Sequence, residues 1–421
     1  MSSQLNRMVV CLSLTTALTT TGTAWAQQDL EEPDPNVTVQ DRPRPDYDPL
    51  GIRAGTFLVF PSLSLEGGYD DNVYAESNDE DDDFFATLRP EIDARSDWNR
   101  HALNFGVAAE GARYLEEDNN DYLDFFSNAE GRLDISRDNI LTGGIEVNRL
   151  HEDRESPDDA GQGQDVTEYW NPIARLAYRR NFNRIYTQIG ADLTRFDFKD
   201  NDDINEDDRD RNQYRGRLRA GYEISPRISA FGEGIYEIRD YDQTPNDQGV
   251  DRNSEGYSLR AGTEIDITGL LFGEVALGYT HREYDDDTLD DVGGLGGGGT
   301  LTWNVTPLTT IIFEGTGEVR ETTVSFEGDE ASGRFDKEVA VDVTHELLRN
   351  VLLNATASYT RSDFEGTSRS DDIYRAGGGI TYLINRNLSL DASYRYSKRD
   401  SDDNDAEFTR NIVLLGITAR L

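Results

Sequence analysis

From about residue 55 to the last residue, the chain alternates apolar and polar side chains one by one, in segment after segment. Residues 214–224, YRGRLRAGYEI, show the pattern at its clearest: Arg215, Arg217 and Arg219 fall between Tyr214, Leu218, Ala220, Tyr222 and Ile224. A period of two belongs to β-strands, whose successive side chains point to opposite faces. Each strand therefore has one apolar and one charged face. A soluble sandwich would turn the charged face outward, whereas a membrane barrel would turn the apolar face to lipid and line its lumen with the arginines.

The connectors favour the barrel. Short ones such as SDWNR (96–100), RDN (137–139) and SPR (225–227) take turns with long, strongly acidic ones such as EDRESPDDAGQGQD and DNDDINEDDRDR. Nine long connectors separated by eight short ones predict about 18 antiparallel strands in an all-β, up-and-down transmembrane barrel. Short turns then lie in the periplasm and long acidic loops outside the cell. A β-propeller shares the hairpin spacing of about 40 residues but needs four short strands per blade and blade motifs that the chain lacks.

The period holds along the chain. Leu88, Ile92 and Ala94 oppose Arg89, Glu91, Asp93 and Arg95; Tyr257, Leu259 and Ala261 oppose Ser258, Arg260 and Glu264. Tyrosines near strand ends (Tyr69, Tyr114, Tyr222, Tyr279, Tyr359, Tyr394) suit interfacial girdles. The last strand sets Val413, Leu415 and Ile417 against Arg410, Thr418 and Arg420, and ends on Leu421 where an aromatic residue is usual.

Composition is consistent with this reading. The formal charge is −41 and only 36% of the 421 residues are hydrophobic. No run of 18 apolar residues follows the N-terminus, so helical membrane spans are excluded while barrel strands are not. The 20 Tyr and 17 Phe oppose disorder over most of the length. Residues 1–26 read as a secretory signal with an A-x-A site at Ala24–Ala26, and the only cysteine, Cys11, lies within it without a lipoprotein pattern. Residues 27–54, rich in proline and acid, read as a disordered periplasmic lead-in, and 55–421 as the barrel.

Little in the chain points to catalysis. His101, His151, His281 and His345 are scattered, HELLR lacks the second histidine of a zinc-protease helix, and no Ser/His spacing supports a nucleophile. The reading is a non-enzyme without cofactor. GGLGGGG (293–299) has no following Lys-Ser/Thr and reads as a strand where another segment approaches closely. Asp79, Asp81, Asp82 and Asp83, with Asp285, Asp286 and Asp287, are either solvated loops or sites for divalent cations bridging to lipopolysaccharide; neither loop has the EF-hand pattern. The acidity argues against nucleic acid as partner. Outer-membrane lipid, lipopolysaccharide and the barrel-assembly machinery are the expected partners.

The lumen carries the functional expectation. Alternation assigns to it Arg89, Arg95, Arg132, Arg175, Arg215, Arg217, Arg219, Arg260 and Arg375, with Glu130 and Glu264. These residues are either a mixed-charge wall that keeps the lumen wet, or, at 215–219, a cationic ladder for an anionic solute.

DRPRPDYDPLGIRAGTFLVFPSL (41–63), YDDNVYA (69–75) and RSDWNRHALN (95–104) resemble the putative beta-barrel porin-2 family of Gram-negative outer-membrane proteins. The resemblance implies an outer-membrane location and a link to exopolysaccharide export, with polysaccharide secretion machinery as a further partner. It supplies no site residues. Export of a cell-surface polysaccharide, diffusion of small solutes and a structural or adhesive barrel are the three functions compatible with the chain. An inward-folded long loop would favour the diffusion porin, and no loop stands out in the sequence as the longest.

Overall fold

The computed structural model describes residues 37–421 apart from 79, 160–163, 201–204 and 268. The proposed signal at 1–26, and residues 27–36 of the lead-in, lie outside the described residues.

Alternation becomes a single closed antiparallel sheet of eighteen staves. They are β1 (Phe57–Asp70), β2 (Asp83–Ser96), β3 (Ala102–Tyr114), β4 (Tyr122–Ser136), β5 (Asn139–His151) and β6 (Glu168–Phe182). β7 (Ile185–Phe198), β8 (Arg211–Ser225), β9 (Ile228–Tyr241), β10 (Ser254–Ile267), β11 (Leu271–Tyr284) and β12 (Val292–Thr306) follow. β13 (Thr309–Arg320), β14 (Gly333–Leu348), β15 (Val351–Glu365), β16 (Ser370–Asn385), β17 (Leu388–Ser401) and β18 (Phe408–Arg420) complete the wall. Each stave pairs with its chain neighbours, and β18 returns to β1 in a seam running from Ser62 opposite Arg420 to Asp70 opposite Ile412. Closure leaves no free sheet edge, which is what a membrane-spanning sheet requires.

The apolar face is the outside. Leu218, Leu259, Ile145, Leu277 and Leu415 are each more than 60% exposed although they belong to regular strands. A continuous apolar outer surface of this kind is a lipid-facing one. Tyr214, Tyr236, Tyr257, Tyr279, Tyr374 and Tyr394 ring the outer wall toward one rim, while Trp98, Phe182, Tyr222, Trp303 and Tyr382 ring it toward the other. Tyr114 departs from the girdle expected of it. It stacks on Phe85 inside the barrel, because it shares its parity with the inward Ala112.

The nine connectors at one rim and eight at the other follow the expected alternation. Two of the tight turns, at 183–184 and 349–350, each carry an asparagine, Asn183 in the left-handed region, but were not singled out in the sequence. At the loop rim the connector 152–167 is the longest, and the one at 321–332 carries a small hairpin, Ser325–Phe326 with Asp329–Glu330.

Residues 37–54 differ from the disordered lead-in expected of them. Ile52–Ala54 pair with the start of β1, and the preceding segment is hydrogen-bonded to the turn rim between β12 and β18. Composition gave no sign of the docking because the barrel partners of Val39, Pro43 and Arg44 lie more than 250 residues away.

Candidate functional site

The inner face of the barrel is built from the charged half of each stave. On β8, Arg215, Arg217 and Arg219 point inward at two-residue intervals, and β9 sets Glu237 and Glu233 beside them. Arg215 Nε donates to Glu237 at 2.7 Å; Arg219 donates to Glu233 at 2.8 Å and, beyond β10, to Glu274 on β11 at 2.9 Å. Arg217 is held more loosely, 3.9 Å from Glu233, and Arg260 stands opposite that same glutamate in the β9–β10 register. Glu264 accepts from the Tyr186 hydroxyl at 2.6 Å and lies 3.6 Å from Arg219. These arginines are thus interleaved with carboxylates in a mixed-charge lattice.

The other sequence-assigned lumen residues share this inner face but not one cluster. Arg89 bonds Glu91 and Glu110 and lies over the Phe126 ring; Arg95 lies over Phe60. Arg132 pairs with Asp134 along its own strand, and Arg175 pairs with Glu146 across β5–β6. Glu130 is exposed on the inner face of β4, opposite Asn104. Arg375, on β16, binds a carboxylate that comes from the far side of the barrel.

That carboxylate is Glu155, in the loop between β5 and β6. The loop turns into the barrel: Arg375 and the Ser397 hydroxyl donate to Glu155 at 3.0 and 2.6 Å, five and four residues inside the ends of β16 and β17. Its next turn carries Asp158 to the β13–β14 loop, where the Thr322 hydroxyl and the Thr323 amide each donate to it at 2.7 Å. Behind it, Arg209 clamps Glu152 through both guanidinium nitrogens. The β13–β14 loop is in turn drawn inward by Arg239 of β9, which donates to Glu321 and to the Val319 carbonyl. Wall, loop, loop and opposite wall are therefore joined in one polar bridge across the loop-rim mouth.

The charges in the bridge are mutually adjusted. Burial alone would push Asp158 up, but Arg334 and Arg209 together with the Thr322 and Thr323 donors hold it below the ordinary carboxylate range. Asp153 behaves alike, its burial outweighed by Arg410 and the Glu155 amide. Glu152 goes the other way, because burial outweighs its Arg209 partner. Glu152, Glu155, Asp158, Arg209 and Arg239 were missed as site residues in the sequence. The available signal was Pro157, six residues into the loop, which fixes the backbone locally but does not reveal the loop's direction.

Carboxylates in the other acidic loops mostly organise their own loops. Asp83 accepts the amides of Phe84, Glu116 and Glu117, and Asp286 accepts the Thr288 amide and hydroxyl and the Asp251 amide. The Asp81 carbonyl accepts from Val73, the Asp285 amide donates to Asn253, and Asp287 is exposed. Tyr69 is bonded to Asp82, and Asp79 lies outside the described residues. Among the described residues, no group of three or more His, Cys, Asp or Glu side chains is placed to hold a metal ion. The glycine run on β12 does permit close approach, but by the barrel's own backbone: a Cβ on Gly296 would lie 2.8 Å from the Gly317 carbonyl oxygen, and one on Gly297 2.2 Å from that of Ala276.

Residues 44–421 match the family described as Putative beta-barrel porin 2. The chain belongs to that family. Membership of Putative beta-barrel porin 2 places it among porins of the Gram-negative outer membrane. Solved structures similar to it include Acinetobacter baumannii OccAB4 (13% identity, 90% of this chain and 100% of that one, TM-score 0.43). A BenF-like porin from Pseudomonas fluorescens Pf-5 is 11% identical over 86% of this chain and 99% of that one, with a TM-score of 0.45. A bacterial polysaccharide outer membrane secretin is 11% identical over 86% and 98%, with a TM-score of 0.36. No curated protein matches the chain. In this member of Putative beta-barrel porin 2, the bridge and the mixed-charge wall are the features that bear on transport.

Proposed function

We propose that the protein is a diffusion channel for small polar solutes, non-enzymatic, with its turn rim in the periplasm and its loop rim outside. The observation that carries this reading is the 152–167 loop, which reaches from β5 to Arg375 and Ser397 on one side and to Thr322 and Thr323 on another. A loop bonded into the lumen divides an interior otherwise too wide for side chains to fill, leaving passages suited to small solutes. The balanced ion pairs of β8–β11 keep those passages wet without strong preference for one sign of charge.

The test is conductance in planar bilayers, comparing the full chain with a variant whose residues 153–166 are replaced by a Gly/Ser linker. The wild type should conduct ions in small steps, and the variant in larger ones. Absence of steps in both would leave a structural surface barrel as the better reading.

Polysaccharide export is the second reading. It is favoured by stacked rings on the inner wall, Phe85 with Tyr114 and Tyr122 with His151, which offer faces to a sugar chain. It requires the Glu155 and Asp158 contacts to break during passage. Deleting the gene and comparing secreted with periplasmic polysaccharide decides it: build-up in the periplasm supports export, and normal secretion removes it.

A further inference from the structure

The mouth opposite the bridge is also occupied. Residues 38–48 run along the inner side of the turn rim, and each step is tied down. The Val39 amide donates to Thr310 Oγ1 at 2.9 Å, and Val39 itself is fully buried. Arg44 Nη2 donates to Glu346 at 3.0 Å, with both side chains about 5% exposed. Further on, Arg349, Arg386 and Arg420 donate to the carbonyls of Pro43, Pro45 and Tyr47. The prolines explain why these carbonyls are available: a proline-rich segment makes no ladder of its own, so its carbonyl oxygens project to outside donors.

Three of the partners are inward-facing. Asn304, which donates to the Val37 carbonyl at the start of the segment, Thr310 and Glu346 share the parity of the lumen residues on β12, β13 and β14, opposite to Trp303, Phe313 and Val339, which face out. The segment therefore lies within the mouth and not under it, against the wall from β12 to β18. A buried arginine–glutamate pair is a directional clasp: without Arg44, Glu346 keeps only the half-exposed Arg349 at 3.4 Å, so the pair favours one docked register of the segment.

We propose that residues 38–48 are a second constriction of the channel, in series with the loop bridge, which sets the size limit at the turn-side mouth, and that Arg44–Glu346 is its latch. This rests on the channel reading above. The segment narrows the mouth from one side only, so solutes pass along the β2–β11 wall, beside Glu130 and the arginine–glutamate lattice. Releasing the latch frees the segment at its middle while Ile52–Ala54 still anchor it to β1.

The experiment uses the full chain in planar bilayers, with potassium chloride as the carried salt and polyethylene glycols of graded size as excluded probes. Replacing 38–48 by a Gly/Ser linker of equal length should raise the conductance and admit larger glycols. Arg44→Ala and Glu346→Ala should each give intermittent steps to that larger level. The conservative Arg44→Lys, which keeps a cation and donors beside Glu346, should restore most of the wild-type trace, which separates a latch from general damage. Retention of the compact, heat-sensitive gel mobility of a closed barrel shows that each variant has folded. A folded linker variant with wild-type conductance and glycol cut-off overturns the proposal. It does so whatever the 153–166 linker variant shows, so the two readings fail separately.

Discussion

Glu155 and Arg375 are 220 residues apart in the chain and 2.9 Å apart in space, one on a loop rooted in β5 and the other on the wall at β16. Their contact makes the interior a divided space. Glu155→Ala should remove a charge-assisted pair worth about 1.5–3 kcal/mol and so shift the docked-to-released ratio of the loop about tenfold or more. Single-channel records of Glu155→Ala and Arg375→Ala should both show added large openings, the former more because it also loses Ser397, and the double variant no more than Glu155→Ala alone. Additive effects would mean that the two residues act separately.

Acid should release the same loop. Asp153 and Asp158 are held below the ordinary carboxylate range when docked, so their contribution to docking is present above that range and is lost as pH falls through their docked values. Glu152 is shifted up, so it takes up its proton first on acidification and then favours the docked state. Release is therefore expected only below the usual carboxylate pKa of about 4. Conductance should rise there in the wild type, and already at neutral pH in Asp158→Asn. A fall in conductance on acidification would contradict the assignment.

Neutralising the β8 arginines should change selectivity strongly, because it also strips partners from Glu233, Glu237 and Glu274. Replacing Arg215, Arg217 and Arg219 with glutamine should move the reversal potential toward cation preference. Arg217→Gln alone, which gives up only a 3.9 Å contact, should produce part of that shift at the smallest loss of stability. An unchanged reversal potential would show that ions do not pass this wall.

Barrel stability should depend on Arg410 and Asp70, which meet across the β18–β1 seam at 2.6 Å with Asp70 fully buried. Asp70→Ala would leave the buried Arg410 guanidinium only its longer contacts to Asp153 and Glu155, at 3.7 and 3.8 Å, an effect of about 1.5–3 kcal/mol. It should lower the midpoint of thermal unfolding followed by circular dichroism. Arg410→Lys, which keeps a cation beside Asp70 and Asp153, should lose less.

Glycines on the wall should divide by environment. A Cβ on Gly297 meets the Ala276 carbonyl at 2.2 Å, so Gly297→Ala should cost about 1–3 kcal/mol. Gly216, whose Cβ would meet nothing within 4 Å, should accept alanine with a change within about 0.5 kcal/mol. The same unfolding midpoints measure both.

The fold was legible because one physical rule repeats: a two-residue period writes inside and outside directly into the chain, and Arg215, Arg217 and Arg219 all face as that rule requires. Tyr114 shows where composition misleads, since a tyrosine near a strand end was given to the outer girdle when its parity pointed inward. The arginines were legible as lumen residues, but their pairing with Glu233, Glu237 and Glu274 depends on register between strands, which no single strand encodes. The inward course of 152–167 and the docking of 38–48 were hidden for a stronger reason. Both depend on partners far along the chain, Arg375 at 220 residues from Glu155 and Glu346 at 302 from Arg44, on surfaces that exist only once the barrel has closed.

Arg44 is among the first residues of the described chain, and Glu346 is 302 residues further on. Contacts of such separation form late, after the loop between them has been drawn together. The leading segment must therefore wait, unsatisfied, while β1 waits for β18. A copy interrupted before β14 would have neither seam nor dock, and would present its lead-in as loose chain. The docked segment is in that sense a completion mark, written by the beginning of the chain on its own far end.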